Sequence, residues 1–216
     1  MQNVVYLVYN FDRYKKMKTR FRSIFLLGLL ISFCGSSFSQ NNKQINEKYV
    51  LIIDVQEDYT RGVVDTNSTT ELIQIINSVI ENSNPDKIIY IKQVHRVLTL
   101  SFKGTTVDTL AISPLDSRLK IVGKHIFYKS ESDAFLSDEL VEFLSFNKAK
   151  EVVIVGLMAE KCVSKTAMGA KKQGYDVLII PEAIIGETKK KKSKAINKLE
   201  KKGVQIMPLN ELLKYL

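Results

Sequence analysis

The chain has 216 residues, 45% of them hydrophobic and 25% charged, with a formal net charge of +9. That balance describes one folded domain and excludes a mostly disordered chain, a collagen-like repeat and a multi-span membrane protein. Two cysteines in the whole chain exclude a disulfide scaffold.

The charge is unevenly spread. Residues 1–39 hold six Lys/Arg against one Asp, a net +5, and the remainder holds 26 basic against 22 acidic residues, a net +4. Much of the second excess is the run from Lys189 to Lys192. The basicity is therefore mostly a leader plus one cluster, and no nucleic-acid partner is expected. In the leader, Ile24 to Gly35 reads IFLLGLLISFCG. That apolar run is too short to span a bilayer, which takes about 20 residues. Lys15, Lys16, Lys18, Arg20 and Arg22 precede it, and Ser36, Ser37 and Ser39 follow. A basic start, a short apolar centre and small residues describe a secretory signal peptide over residues 1–39, cut before Gln40. The expected location is outside the cytoplasm, periplasmic or secreted, with no stable membrane span once the leader is cut. An uncleaved leader acting as a membrane anchor is the alternative. Met17 is an alternative start. Cutting before Gln40 leaves Cys162 as the one thiol.

After a polar linker, residues 40–47, apolar runs alternate with amphipathic ones. Residues 49–53, YVLII, read as a buried strand. Residues 70–82 carry Leu72, Ile73, Ile76 and Ile80 at helical spacing, with Thr69 or Thr70 as cap. A second strand is expected over 87–94, and a hairpin or loop around Gly104 over 98–110. A short strand follows over 125–128, then a helix over 136–146 with Ser137 as cap. A strand over 151–156 leads to a helix over 162–173 that Gly174 ends. The remaining expectations are a strand at 176–180, a helix at 189–202 closed by Gly203, a strand at 204–207 and a helix at 209–215. Strands alternating with helices imply parallel strands and crossover helices, hence an α/β protein with both sheet faces covered. In such sheets ligands bind at the carboxyl ends of the strands.

Three residues fall there. Asp54 ends the first strand, Lys129 ends the strand at 125–128, and Cys162 follows the strand at 151–156. A cysteine at a helix start, near a basic side chain, is expected to have a lowered pKa. A strand-end Asp suits a general base, and a lysine beside them would stabilise an anion. Each has a plainer reading: Cys162 as a small core residue, Asp54 as a loop cap, Lys129 as a surface lysine.

Three motifs carry a resemblance: YVLIIDVQEDY (residues 49–59), KSESDAF (129–135) and VVIVGLMAEKCVSKTAMGAKKQGY (152–175). From about residue 48 to 216 the chain resembles the isochorismatase-like cysteine hydrolases, which include nicotinamidases and N-carbamoylsarcosine amidases. The resemblance implies a three-layer α/β/α sandwich with a mostly parallel, Rossmann-like sheet. It implies a triad with Cys162 as nucleophile, Asp54 as general base or acid and Lys129 as the cation beside both. By the same likeness the N–H groups of Met158 and Cys162 form an oxyanion hole, and a cis peptide precedes Met158. Gln56, Tyr59, His95 and Phe135 are candidate pocket residues.

The departures are informative. Asp133 stands where the family has Ser, and Glu160 where it often has Asp. Metal-binding relatives carry an Asp and two His after the second strand; here the region reads YIKQVHRVLTLSF, with His95 alone. His125 is the other histidine. No metal is expected, and no cofactor, since no phosphate loop or dinucleotide fingerprint is present. The leading expectation is an exported, metal-independent hydrolase that cleaves a small amide or carbamoyl compound through a Cys162 thioester. A vinyl-ether hydrolase and a non-catalytic binding protein on the same fold are the alternatives. The lysine run reads as a solvated helix face. Many relatives assemble, so a homo-oligomer is an open expectation.

Overall fold

The computed structural model describes residues 48–61, 66–100 and 106–212. The expected leader and linker lie outside these residues. In chain order the elements are β1 (Tyr49–Ile53), α1 (Glu57–Thr60), α2 (Thr66–Glu81), β2 (Ile88–Gln93), β3 (His95–Leu100), β4 (Thr106–Ala111) and β5 (His125–Lys129). There follow α3 (Asp138–Phe146), β6 (Glu151–Leu157), α4 (Ser164–Lys172), β7 (Asp176–Ile185), α5 (Lys189–Glu200), β8 (Gln205–Ile206) and α6 (Leu209–Leu212).

Six strands form one sheet in the order β5-β2-β1-β6-β7-β8, and every pairing is parallel. β3 and β4 form a separate antiparallel pair, the hairpin alternative for that segment. The strands of the central sheet read as unbroken apolar runs because both faces are covered. In β1, Tyr49, Leu51 and Ile53 pack with α3, α4 and α5 through Leu140, Leu144, Ala167, Ala170, Ala195 and Leu199. Val50 and Ile52 point to the other face, against Leu72, Ile73, Ile76, Val79 and Ile80 of α2. The sheet is thus the middle layer of an α/β/α sandwich, as the alternation of elements implied.

Local differences from the sequence expectations have physical reasons. α2 starts at Thr66, so Thr69 and Thr70 lie inside the helix and do not cap it. Their hydroxyls donate to the Thr66 carbonyl instead. β7 runs on to Ile185, past Pro181, because a register shift between Ile154 and Gly156 lets a second stretch pair with β6. The chain after β6 does not enter α4 directly. A wide turn, Ala159–Val163, comes first, with the Val163 N–H on the Met158 carbonyl and the Ser164 N–H on Ala159.

Two backbone features shape the carboxyl edge of the sheet. The Leu157–Met158 peptide is cis. Gly156 has φ +114°, and a Cβ there would lie 2.2 Å from the Ile53 carbonyl oxygen. β1 and β6 can approach at this point only because residue 156 has no side chain. Gly174, at φ +89°, has open space where its Cβ would be. Gly156→Ala is therefore expected to cost at least about 3 kcal/mol in urea unfolding, from strain plus backbone collision. Gly174→Ala is expected to cost about 1 kcal/mol, from strain alone.

Candidate active site

The carboxyl ends of β1, β5 and β6 lie close together, and each delivers one side chain. Asp54 follows β1 with φ 55°, a left-handed conformation that Asp tolerates better than most residues. Its N–H donates to the Ile91 carbonyl on β2 at 3.0 Å, so the chain turns while staying tied to the sheet. Lys129 is the last residue of β5. Its Nζ lies 3.0 Å from Asp54 Oδ2, and the two side chains are 1% and 3% exposed.

The buried ammonium is fully used. Lys129 Nζ also donates to Gln93 Oε1 and, at 3.2 Å, to the Glu131 carbonyl. Three N–H donors meet three acceptors, as a buried lysine requires. Gln93, the last residue of β2, is held in turn. Its own amide donates to the Val94 and Ser130 carbonyls. Its backbone N–H donates to Gln56 Oε1 at 2.7 Å, while Gln56 Nε2 donates to the Gln93 and Ser113 carbonyls. Two glutamines thus form a buried strut behind the lysine. Sequence reasoning missed Gln93: it sits in an apolar run with nothing to separate it from an ordinary strand-end polar residue. Its partner on β5 by register is Lys129 itself, a relation that only the pairing reveals.

Cys162 sits in the wide turn after β6, half-buried against the core. Its thiol interacts with Asp54 and Lys129. Asp54 Oδ2 is engaged by Lys129, while Oδ1 is buried without a partner of good hydrogen-bond geometry. Burial pushes the Asp54 carboxyl up, against the opposing charge of Lys129. The thiol goes the same way: burial first, then the Asp54 charge, push it up to about 11, with Lys129 pulling it down. The lowered thiol expected from the sequence is not found. Cys162 lies ahead of α4 instead of at its start, and the Asp54 charge acts on it against that of the lysine. The thiol thus lies beside the Asp54–Lys129 contact.

The other candidates separate. Tyr59, on α1, hydrogen-bonds His95 Nε2 through its hydroxyl at 2.6 Å. Burial and the nearby Asp54 and Cys162 push that hydroxyl up to about 12, so this pair stands near those two residues. Gln56 is wholly buried in the strut, and Phe135 is a core residue against Tyr175, 5.4 Å between ring centroids. Neither forms an open wall. Met158 is buried where β6 leaves the sheet, and its carbonyl accepts from Lys161 and Val163. Glu160 reaches across to the segment after β7, accepting from the Glu187 N–H at 3.1 Å.

Comparison with known proteins came to the same family. Residues 48–211 match the family described as the isochorismatase domain. A secreted isochorismatase effector of Verticillium dahliae is 26% identical over 141 residues, 64% of this chain and 72% of that protein. The zinc complex of the pyrazinamidase of Pyrococcus horikoshii superposes with a TM-score of 0.60 at 21% identity, covering 75% of this chain and 99% of that one. An isochorismatase-like hydrolase from Alkaliphilus metalliredigens gives 0.64 at 18% identity, covering 78% and 97%. These two likenesses concern the fold.

Two outcomes test the site's electrostatics. Site-resolved alkylation of Cys162 by iodoacetamide should show a midpoint above that of a free thiol, about 8.5. Asp54→Asn removes the charge that raises it and should move the midpoint down. Gln93→Met, similar in shape but without an acceptor, should cost about 1–3 kcal/mol in urea unfolding by stranding one N–H of the buried ammonium.

Proposed function

The chain belongs to the isochorismatase-domain family; it is a hydrolase of that family, and from that premise we propose that it cleaves the C–N bond of a small amide or carbamoyl compound through Cys162. The observation that carries this reading is a single one. Asp54 presents one carboxylate oxygen to Lys129 and leaves the other without a partner in the site that holds the Cys162 thiol.

In the proposed mechanism the thiol proton passes to Asp54 as sulfur attacks the substrate carbonyl. A carboxyl already pushed upward by burial is a better acceptor than an ordinary Asp. Lys129 has all three donors engaged, so it acts as a fixed positive charge and keeps Asp54 ionised until the proton arrives. The tetrahedral oxyanion is held by the backbone N–H groups of Met158 and Cys162. Asp54 then gives its proton to the leaving nitrogen, the C–N bond breaks, and ammonia or an amine departs. A water molecule, deprotonated by Asp54, attacks the thioester; the acid leaves and the thiol regains its proton. Tyr59 and His95, the exposed pair beside the triad, line the approach for substrate.

Zinc is named in the Pyrococcus horikoshii structure. The residues here do not fit such an ion. Among the described residues no group of three His, Cys, Asp or Glu side chains is placed to hold a metal. His95 is engaged by Tyr59, and the Asp54 carboxylate by Lys129. This supports a reaction carried by protein groups alone. The basic, apolar leader supports export, in keeping with the name of the Verticillium dahliae relative as a secreted effector. Among the described residues no helix is long and apolar enough to cross a membrane.

The family's name keeps a second reading in play, hydrolysis of a vinyl ether. One experiment separates the two. The full chain is offered a panel of small primary amides, pyrazinamide among them, read by ammonia release, and isochorismate, read by pyruvate release. Ammonia release that falls at least about a thousandfold in Cys162→Ala, and that withstands a metal chelator, is the expected result. Pyruvate release that survives Cys162→Ala, with no ammonia from any amide, would replace amide chemistry with the second reading.

A further inference from the structure

The charge of the chain beyond residue 39 is segregated. Residues 159–203 hold 12 lysines against five carboxylates, a net +7, while residues 40–158 and 204–216 together carry 14 basic and 17 acidic residues, a net −3. The wide turn, α4 and α5 account for most of that excess. α4 and α5 lie side by side in the layer that covers one face of the sheet, each turning small apolar residues inward.

Most of their outward lysines make no ion pair among the described residues. Lys190, Lys194 and Lys198 are exposed and repeat every four residues, so they form one row along α5 with a rise of about 6 Å per step. Lys165 and Lys172 are exposed on α4, roughly 10 Å away, the usual spacing of packed helices. Among the described residues, Lys191 is the one lysine of α5 in an ion pair, with Glu187. The arrangement works against its own helix. The first turn of α5 holds lysines and no acid, the wrong sign for the positive end of a helix, and like charges four residues apart repel. Within the chain this cost is offset only in part, by Glu187 on Lys191 and by Asp133 near Lys165 and Lys172.

We propose that the α4–α5 face docks on a lipid bilayer surface bearing anionic phosphate headgroups. The charge array is broad, and the cavity at the start of α5 is lined by Lys189 and Lys192 together with Glu71, Glu182 and Glu187. Its cations are lysines throughout, with no arginine between residues 159 and 203, so bidentate base or phosphate readout has no donor. Its sole aromatic, Tyr175, is turned to the core against Phe135, which leaves no stacking platform for nucleotide bases. Point charges on a smooth helical layer suit a fluid array of headgroups. No large apolar side chain projects from this face, so attachment is peripheral and reversible by salt.

The test is co-sedimentation with vesicles of neutral phosphatidylcholine, with and without about a third phosphatidylglycerol, at roughly 0.05 and 0.3 M salt. It is run on the full chain and on a chain beginning at Gln40, so that the leader's own affinity cancels in each comparison. The variant is Lys190→Gln, Lys194→Gln and Lys198→Gln together, all exposed helix positions that glutamine fills well. The control is Lys124→Gln, Lys148→Gln and Lys150→Gln, the same charge change elsewhere. We expect binding to the anionic vesicles alone, weakened by salt. The α5 variant should lose about a hundredfold in partitioning, at about fivefold per lysine, and the control much less. Absence of binding at low salt, or equal loss in variant and control, would overturn the proposal. Tighter binding to a single-stranded RNA oligomer than to the anionic vesicles would overturn it too, in favour of a nucleic-acid surface.

Discussion

One buried ion pair organises the carboxyl edge of this sheet. Taking a carboxylate and an ammonium out of water costs several kcal/mol per ion, and their attraction offsets this only when every remaining donor is satisfied. Asp54 and Lys129 meet that condition by half. The lysine is satisfied completely, by Asp54, Gln93 and the Glu131 carbonyl. Satisfying it recruits the ends of β2 and β5 and, through Gln56, the loop that carries Ser113. The carboxylate keeps one oxygen in reserve.

A second buried carboxylate shows what full satisfaction looks like. Asp116 is 1% exposed, comparable with Asp54 at 2%. It accepts from the Arg118 guanidinium and backbone N–H and from the Thr60 hydroxyl. Those bonds, with Arg118 the largest influence, hold its carboxyl far below the usual carboxylate range. Asp54, set deeper in the protein and with less hydrogen bonding, is pushed the other way, by burial first. Asp116 is an anchor that ties α1 to the loop before β5; it has no proton affinity to offer near neutral pH. Environment, and not residue type, separates the two carboxyls.

The sandwich, its parallel sheet and the three strand-end residues were legible because each rests on local pattern: apolar runs, helical spacing and a polar residue at the end of a strand. What was not legible depends on pairing across the sheet. Gln93 gains its meaning from lying beside Lys129 in register, and Gln56 from reaching β2 instead of the pocket. The direction of the Cys162 shift was misjudged for a similar reason. A helix start was inferred from spacing, but the wide turn delays α4 to Ser164 and sets the thiol against Asp54. Thr69 and Thr70 looked like caps, yet a hydroxyl inside a helix can bond its own backbone equally well.

One departure from the family pattern turns out to be built into the scaffold. Asp133 stands where a serine was expected, four residues after Lys129. Its carboxylate accepts from the Phe135 N–H at 2.9 Å and caps the short turn that follows. A Cβ at Gly169 on α4 would fall 2.2 Å from Asp133 Oδ1, so the acid in this position relies on the bare backbone of α4. Alongside, the Ala134 N–H donates to the Thr166 hydroxyl at 3.1 Å. The segment leaving Lys129 is thereby fastened to the helix that follows Cys162. Substituting at either position alone would disturb that join, by collision at Gly169 or by an uncapped turn at Asp133. The strand end that carries the cation and the helix that follows the thiol are thus joined by residues outside the ion pair itself.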